Sequence, residues 1–255
     1  MSTLDGKIAL ITGASSGIGA ALAHELGQRG CRVGLLARRE DRLRTLSEAL
    51  HAAGIDARWA AADVTDDAGL CTALETLAEG LGGIDIAVAN AGFGRPESPQ
   101  RFKPGRALGT YDVNLLGTLR VIDWALPRFL AQGSGHLVAV ASVASYFGLP
   151  HAAAYCGSKA AIRIHFESLR LSLRRHNVAV TTLCPGFVVS ELTDLNPGPM
   201  PFLWPTERAA RKMADSIQSR RREVIFPWQM KLFISLISRL PGGLRCRLLA
   251  RMPGI

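Results

Sequence analysis

No long hydrophobic run occurs in this 255-residue chain. Nowhere do about 20 apolar residues follow one another, which excludes a helix that spans a bilayer. Met1–Lys7 carries no apolar core ahead of the first strand-like run, so no signal peptide is expected. Cysteine is sparse and unpatterned. Cys31, Cys71, Cys156, Cys184 and Cys246 are odd in number, scattered, and without Cys-x-x-Cys or metal-ligand spacing, so the expectation is reduced thiols in a cytoplasmic protein with no metal site. Internal repeats and low-complexity tracts are also missing. Even the net basic excess is nearly absent from most of the chain. Residues 220–255 hold eight Lys or Arg against one Glu, and so supply +7 of the net +9. A nucleic-acid surface would interleave cations with exposed aromatics or offer a recognition helix; neither is found, and no nucleic-acid partner is expected.

What is present is the balance of a packed globular protein, 48% hydrophobic and 20% charged. The length suits one large domain with a well-covered core and would cramp two. Short apolar runs rich in β-branched residues recur at Ile8–Ile11, Arg32–Leu36, Ile84–Val88, His136–Val140 and Val178–Leu183. Between them lie segments of helical spacing at Ala20–Arg29, Glu40–Ala53, Asp67–Leu81 and Ala160–His176. Strands alternating with helices predict a single-domain α/β fold: a doubly wound parallel sheet of Rossmann type, covered on both faces, with chemistry in the loops beyond the carboxyl ends of the strands. Asn196–Pro201, rich in proline, reads as a loop and not as a domain boundary.

The first strand runs into Thr12-Gly13-Ala14-Ser15-Ser16-Gly17-Ile18-Gly19 and then into a helix. Glycines at that turn let a pyrophosphate meet free backbone N–H groups at a helix N-terminus. The second strand ends Leu35-Leu36-Ala37-Arg38-Arg39, with no acidic residue to accept hydrogen bonds from a ribose 2′-hydroxyl. Arg38 offers a planar cationic fork suited to a 2′-phosphate, which favours NADP(H) over NAD(H). Further along, Tyr155 and Lys159 stand four apart at the opening of a helix and share one face. A phenol is a poor base near neutrality, and a nearby ammonium favours the phenolate. Ser142, at the end of a strand, can hydrogen-bond the same substrate oxygen as the tyrosine. Of the histidines, His136, His165 and His176 lack any partner pattern and read as structural or solvated. His151, four residues before Tyr155, is placed to touch substrate.

Through Thr12-Gly13-x-x-x-Gly17-x-Gly19, Asn90-Ala91-Gly92, Asn114, Ser142, Tyr155-x-x-x-Lys159 and Pro185-Gly186, the chain closely resembles the classical short-chain dehydrogenase/reductase family. The motifs stand in the family's order and span residues 8 to about 190. The resemblance implies an oxidoreductase that interconverts a ketone and a secondary alcohol, with Asn114, Ser142, Tyr155 and Lys159 as its catalytic positions. It implies cofactor contacts at Gly13, Ser15, Ser16, Gly17, Ile18, Gly19, Arg38, Arg39, Asp63, Val64, Asn90, Ala91, Gly92, Tyr155, Lys159, Pro185, Gly186 and Val188. Hydride would pass between the nicotinamide and carbon while Tyr155 moves the proton. Lys159 would also grip the nicotinamide ribose, and Asn114 would hold a water joining Lys159 to a proton relay. A non-catalytic dinucleotide-sensing or scaffold protein on the same fold is the alternative, but such a protein could lose Tyr155 or Lys159 freely, and all four positions are present.

The resemblance also divides the chain. Residues 1–227 form the catalytic domain, with a substrate lid at about 187–206, Thr206-Glu207-Arg208 capping a helix to about Ser219, and a last strand at Glu223–Pro227. The lid carries Phe202-Leu203-Trp204, and Phe202 and Trp204 suggest a small hydrophobic carbonyl or alcohol substrate of acyl, sphingoid, steroid or terpenoid type. Residues 228–255 form a basic amphipathic extension too short to span a bilayer, with Lys231, Ser235, Ser238 and Arg239 on one helical stripe. Its wide apolar face needs a partner. An anionic membrane surface fits the charge, while packing against the lid or a second subunit fits the apolar width. The departure from the family's usual tail puts a tetramer in doubt and favours a homodimer.

Overall fold

Runs of apolar residues become parallel strands when both faces are covered, because no solvent face then demands alternation. The structure, a computed structural model, describes residues 4–97, 100, 103–195 and 198–251. Asn196 and Pro197 of the expected loop, Met1–Thr3 and residues 252–255 of the extension lie outside the described residues. The strands are β1 (Ile8–Thr12), β2 (Arg32–Ala37), β3 (Ala57–Ala61), β4 (Ile86–Ala89), β5 (Gly135–Val140), β6 (Val178–Pro185) and β7 (Glu223–Phe226). They form one parallel sheet in the order β3-β2-β1-β4-β5-β6-β7. The winding reverses between β1 and β4, and a crevice opens beyond their carboxyl ends, as a doubly wound sheet requires.

On one face, α3 (Asp67–Leu81), α5 (Gly117–Ala131) and α6 (Ala153–Ser172) bury Leu74, Leu77, Phe129 and Phe166. On the other, α1 (Gly17–Gln28), α2 (Glu40–Ala52) and α7 (Thr206–Gln218) bury Leu22, Leu26, Leu43 and Met213. Each such side chain stabilises the fold by about 1.5–3 kcal/mol through burial. Local chemistry sets the ends of these elements. The Asp66 carboxylate accepts the Gly69 N–H at the start of α3, and Gly82, at φ 82°, closes its end in the left-handed region.

Several boundaries differ from expectation. The strand expected at Ile84–Val88 begins at Ile86, just after Asp85, whose backbone already bonds Ile8 and His136 and whose carboxylate accepts the Ile8 N–H and pairs with Lys7. The helix expected from Ala160 begins at Ala153, so Tyr155 lies inside its first turn. Thr206 does not cap α7. Pro205 stands at the cap position, and the Thr206 hydroxyl donates to the Val189 carbonyl, tying the helix to the lid. β3 and the helical stretch of α4 (Pro104–Tyr111), a π-turn (Asp112–Leu116) and α5 were not apparent from the pattern. The chain continues past β7, through a cis Phe226–Pro227 peptide, into α8 (Trp228–Ser238) and α9 (Gly242–Leu249).

Candidate active site

At the mouth of the crevice the chain turns from β1 into α1 with no room to spare. A Cβ on Gly13 would lie 2.8 Å from the Ala91 Cα, and one on Gly19 would lie 2.3 Å from the Gly13 carbonyl oxygen. Asn90 fixes this turn from the next strand. Its amide donates to the Thr12 and Gly13 carbonyls at 2.9 and 3.3 Å, and the Thr12 hydroxyl receives the Asn90 and Ala91 N–H groups. The first turn of α1 has no acidic residue, and Ser16 at its cap makes no side-chain cap bond, so the helix N-terminus keeps its donors for an anion. That is what a dinucleotide pyrophosphate requires.

The two arginines after β2 behave differently. Arg38 is largely exposed and reaches the Asp63 carboxylate, at 3.6 Å. Burial would raise Asp63, but the Thr65 N–H and hydroxyl, and then Arg38, hold it below the usual carboxylate range. Arg39 turns into the glycine loop, donating to the Ser15 and Ser16 hydroxyls and to Glu191 at 2.9 Å. Arg42 also pairs with Glu191, a lid residue, and these two arginines hold its carboxyl below the usual range. Arg38 and Arg39 thus both border the cofactor end, and Arg39 is the one engaged with the loop.

At the other end stand Ser142, Tyr155 and Lys159. Ser142 follows β5 and is set by its oxygen accepting the Ala144 N–H at 3.1 Å. It lines the same cavity as Tyr155 and favours the ionised form of that phenol. Lys159, one turn along α6, lies 5.9 Å from the Tyr155 ring centre and donates to the Val140 carbonyl at 2.8 Å. Burial pulls its ammonium down to about 8, against a smaller opposing effect of Cys184. Burial likewise pushes Tyr155 above the usual phenol value, against a smaller opposing effect of Ser142. The ammonium is directed at a backbone carbonyl, and Lys159 is not among the groups that shift Tyr155.

Asn114 sits in the π-turn, fully buried. Its side chain accepts the Phe93 N–H and donates to the Phe93 carbonyl, both at 2.9 Å, and to the Ser158 hydroxyl at 3.0 Å. It does not border the cavity, and its side-chain amide is engaged by Phe93 and Ser158. Its observed work is to hold Phe93 beside Gly94, whose added Cβ would lie 2.8 Å from the Tyr155 ring.

One cavity of about 920 Å³ joins these parts. Every expected cofactor contact, from Gly13 to Val188, lines it, as do Ser142, Tyr155 and Lys159. Of the expected substrate contacts Ser142 does, whereas His151, Phe202 and Trp204 do not. His151, at φ 59°, is turned to the Glu97 carbonyl at 3.0 Å. Phe202 is half exposed at φ 58°, and Trp204 packs on Phe226 with ring centres 5.6 Å apart, beneath Arg208. Trp204 is instead the root of the lid, bridged to Val188 through the Trp204 N–H to Phe187 and the Val189 N–H to Trp204. The apolar wall comes from Phe93, Phe147, Leu149, Phe187 and Leu192, and from Met230, Phe233 and Ile234 of α8. Most of these lie in loops, where no periodic pattern marks them. The α8 residues carried a signal in the wide apolar face of that helix. Among the described residues no cluster of His, Cys, Asp or Glu could hold a metal ion.

The family model described as short chain dehydrogenase matches residues 7–197. An uncharacterized oxidoreductase of Myxococcus xanthus is 39% identical over 244 residues, 96% of each chain. Among solved structures, the actinorhodin polyketide ketoreductase with NADPH is 27% identical, with a TM-score of 0.80 over 89% of this chain and 97% of that one. A short chain dehydrogenase/reductase from Burkholderia phymatum in complex with NAD gives a TM-score of 0.86 over 100% of this chain and 99% of that one. At 24% identity this last likeness concerns the fold alone.

Proposed function

Because this chain belongs to the short-chain dehydrogenase family and is an oxidoreductase, we propose that it reduces a ketone to a secondary alcohol with NADPH. The observation that carries this reading is one cavity with an anion-ready glycine loop at one end and Ser142, Tyr155 and Lys159 together at the other. Such a cofactor supplies a hydride to the carbonyl carbon. The chain's own residues handle the proton. Burial keeps Tyr155 protonated at neutral pH, so its hydroxyl is ready to donate to the carbonyl oxygen that Ser142 polarises. Lys159, at about 8, carries its proton near pH 7 and would grip the nicotinamide ribose beside the tyrosine.

Asn114 is a positioning residue in this scheme, acting through Phe93 and Gly94 on the tyrosine. The absence of an acidic residue after β2, and Arg38 and Arg39 in its place, support a 2′-phosphate and so NADP(H) over NAD(H). The ketoreductase bound to NADPH is in keeping with that preference. Residues 1–227 constitute the catalytic unit, and the extension from Trp228 completes the apolar wall with Met230, Phe233 and Ile234. That wall supports a small hydrophobic ketone. A ketone series from short polar to long apolar, followed by NADPH absorbance and repeated with NADH, tests the reading. Turnover should rise with apolar length, favour NADPH, and fall about 10²–10⁴-fold in Tyr155→Phe. Undiminished turnover in that variant overturns the assignment.

A further inference from the structure

α8 carries two apolar stripes. One, Met230, Ile234 and Ile237, is buried toward the catalytic unit. The other, Trp228, Leu232 and Leu236, recurs every four residues and is 68%, 51% and 56% exposed. α9 adds Leu244 and Leu248. Of the thirteen exposed large hydrophobic side chains among the described residues, eight fall in the lid or in these two helices. Exposed apolar surface gathered in this way marks an interaction site.

The charge around it identifies the partner. Residues 224–251 hold Lys231, Arg239, Arg245, Arg247 and Arg251 and no Asp or Glu. Lys231, Arg239, Arg245 and Arg247 form no ion pair among the described residues. Arg239 donates to the Ser235 carbonyl at 3.0 Å and so lies along α8, at the edge of the exposed stripe. A twofold contact between two copies would set this face against itself, cation against cation, with no carboxylate of its own to neutralise them. A phospholipid surface has what the face lacks, an apolar interior beneath an anionic layer.

We propose that α8 and α9 dock the protein on an anionic lipid surface, with Trp228, Leu232 and Leu236 entering the interface and the flanking cations meeting headgroups. The same helix walls the cavity from its other side through Met230, Phe233 and Ile234. Docking therefore sets the catalytic cavity one helix away from the bilayer. The inference rests on surface chemistry and stands apart from the reading of the reaction.

Flotation of the full chain tests it, with vesicles of phosphatidylcholine alone and of phosphatidylcholine mixed with phosphatidylserine. The protein should float with the mixed vesicles only and be released by high salt. Two variants keep the buried stripe intact: Trp228→Ser/Leu232→Ser/Leu236→Ser and Lys231→Glu/Arg239→Glu. Each should lower the bound fraction roughly tenfold or more, with thermal melting unchanged. Failure of the wild type to float with anionic vesicles overturns the proposal. So does equal flotation of the wild type and both variants. A wild-type dimer that dissociates in the serine variant, with no vesicle binding, would make the stripe an interface between copies instead.

Discussion

Tyr155 and Lys159 share one turn of α6, and burial moves the two groups in opposite directions. The phenol is held neutral, and the ammonium is held charged at a cost. Lowering Lys159 from its ordinary value to about 8 corresponds to about 3 kcal/mol of burial penalty. Lys159→Met should therefore raise the melting temperature by several degrees while turnover collapses, a pairing that calorimetry and the NADPH assay check together. A lower melting temperature would mean that the Val140 bond outweighs the penalty. Gly94 is the second residue whose role is local. A methyl group there meets the Tyr155 ring at 2.8 Å and must displace it. Gly94→Ala should lower kcat by up to about 10²-fold while leaving NADPH affinity nearly unchanged; a loss confined to cofactor binding would contradict this.

Among the elements, β5 and β6 carry a buried polar pair. The His136 Nε2 and Thr181 Oγ1 atoms stand 2.8 Å apart between paired strands, and burial, then Arg220, lowers the imidazole to about 3. An imidazole depressed in the folded state contributes stability above pH 6.5 that is lost as pH falls toward 3. Between pH 7 and 5 this loss should reach about 2 kcal/mol, and His136→Asn should flatten that slope in urea titrations at the two pH values. The sequence pattern alone already placed His136 in a strand with a structural role. It also revealed the strands that are buried on both faces, since Val, Ile and Leu runs announce themselves. β3 escaped because Ala57-Arg58-Trp59-Ala60-Ala61 is an edge strand, only partly buried and poor in β-branched residues. The stretch from Pro104 to Ala131 escaped because Gly105, Gly109, Gly117 and Pro127 interrupt its helical signature. The glycine loop and the Tyr155–Lys159 pair were legible because their spacing is local. The substrate wall was not, because its members come from separate loops and one distant helix, and Phe202 and Trp204 drew attention through their size alone.

Across the molecule, Glu191 links the lid to the cofactor end. Its carboxylate holds both Arg39, which borders the cofactor end of the cavity, and Arg42. It therefore competes with any phosphate that seeks Arg39. Glu191→Gln should tighten NADPH binding about two- to fivefold, the scale of an exposed ion pair, and leave NADH binding nearly unchanged, as fluorescence titration with each nucleotide can read. Equal effects on both would separate the latch from phosphate recognition. The other long-range feature is the late arrival of α8 at the cavity. Glycine loop, tyrosine and lysine all precede residue 160, while Met230, Phe233 and Ile234 come near the chain's end. The nucleotide half and part of the substrate half are thus written in separate stretches of the gene. A recombination junction at the Phe226–Pro227 corner would exchange that part of the specificity as a single cassette and leave the hydride chemistry in place.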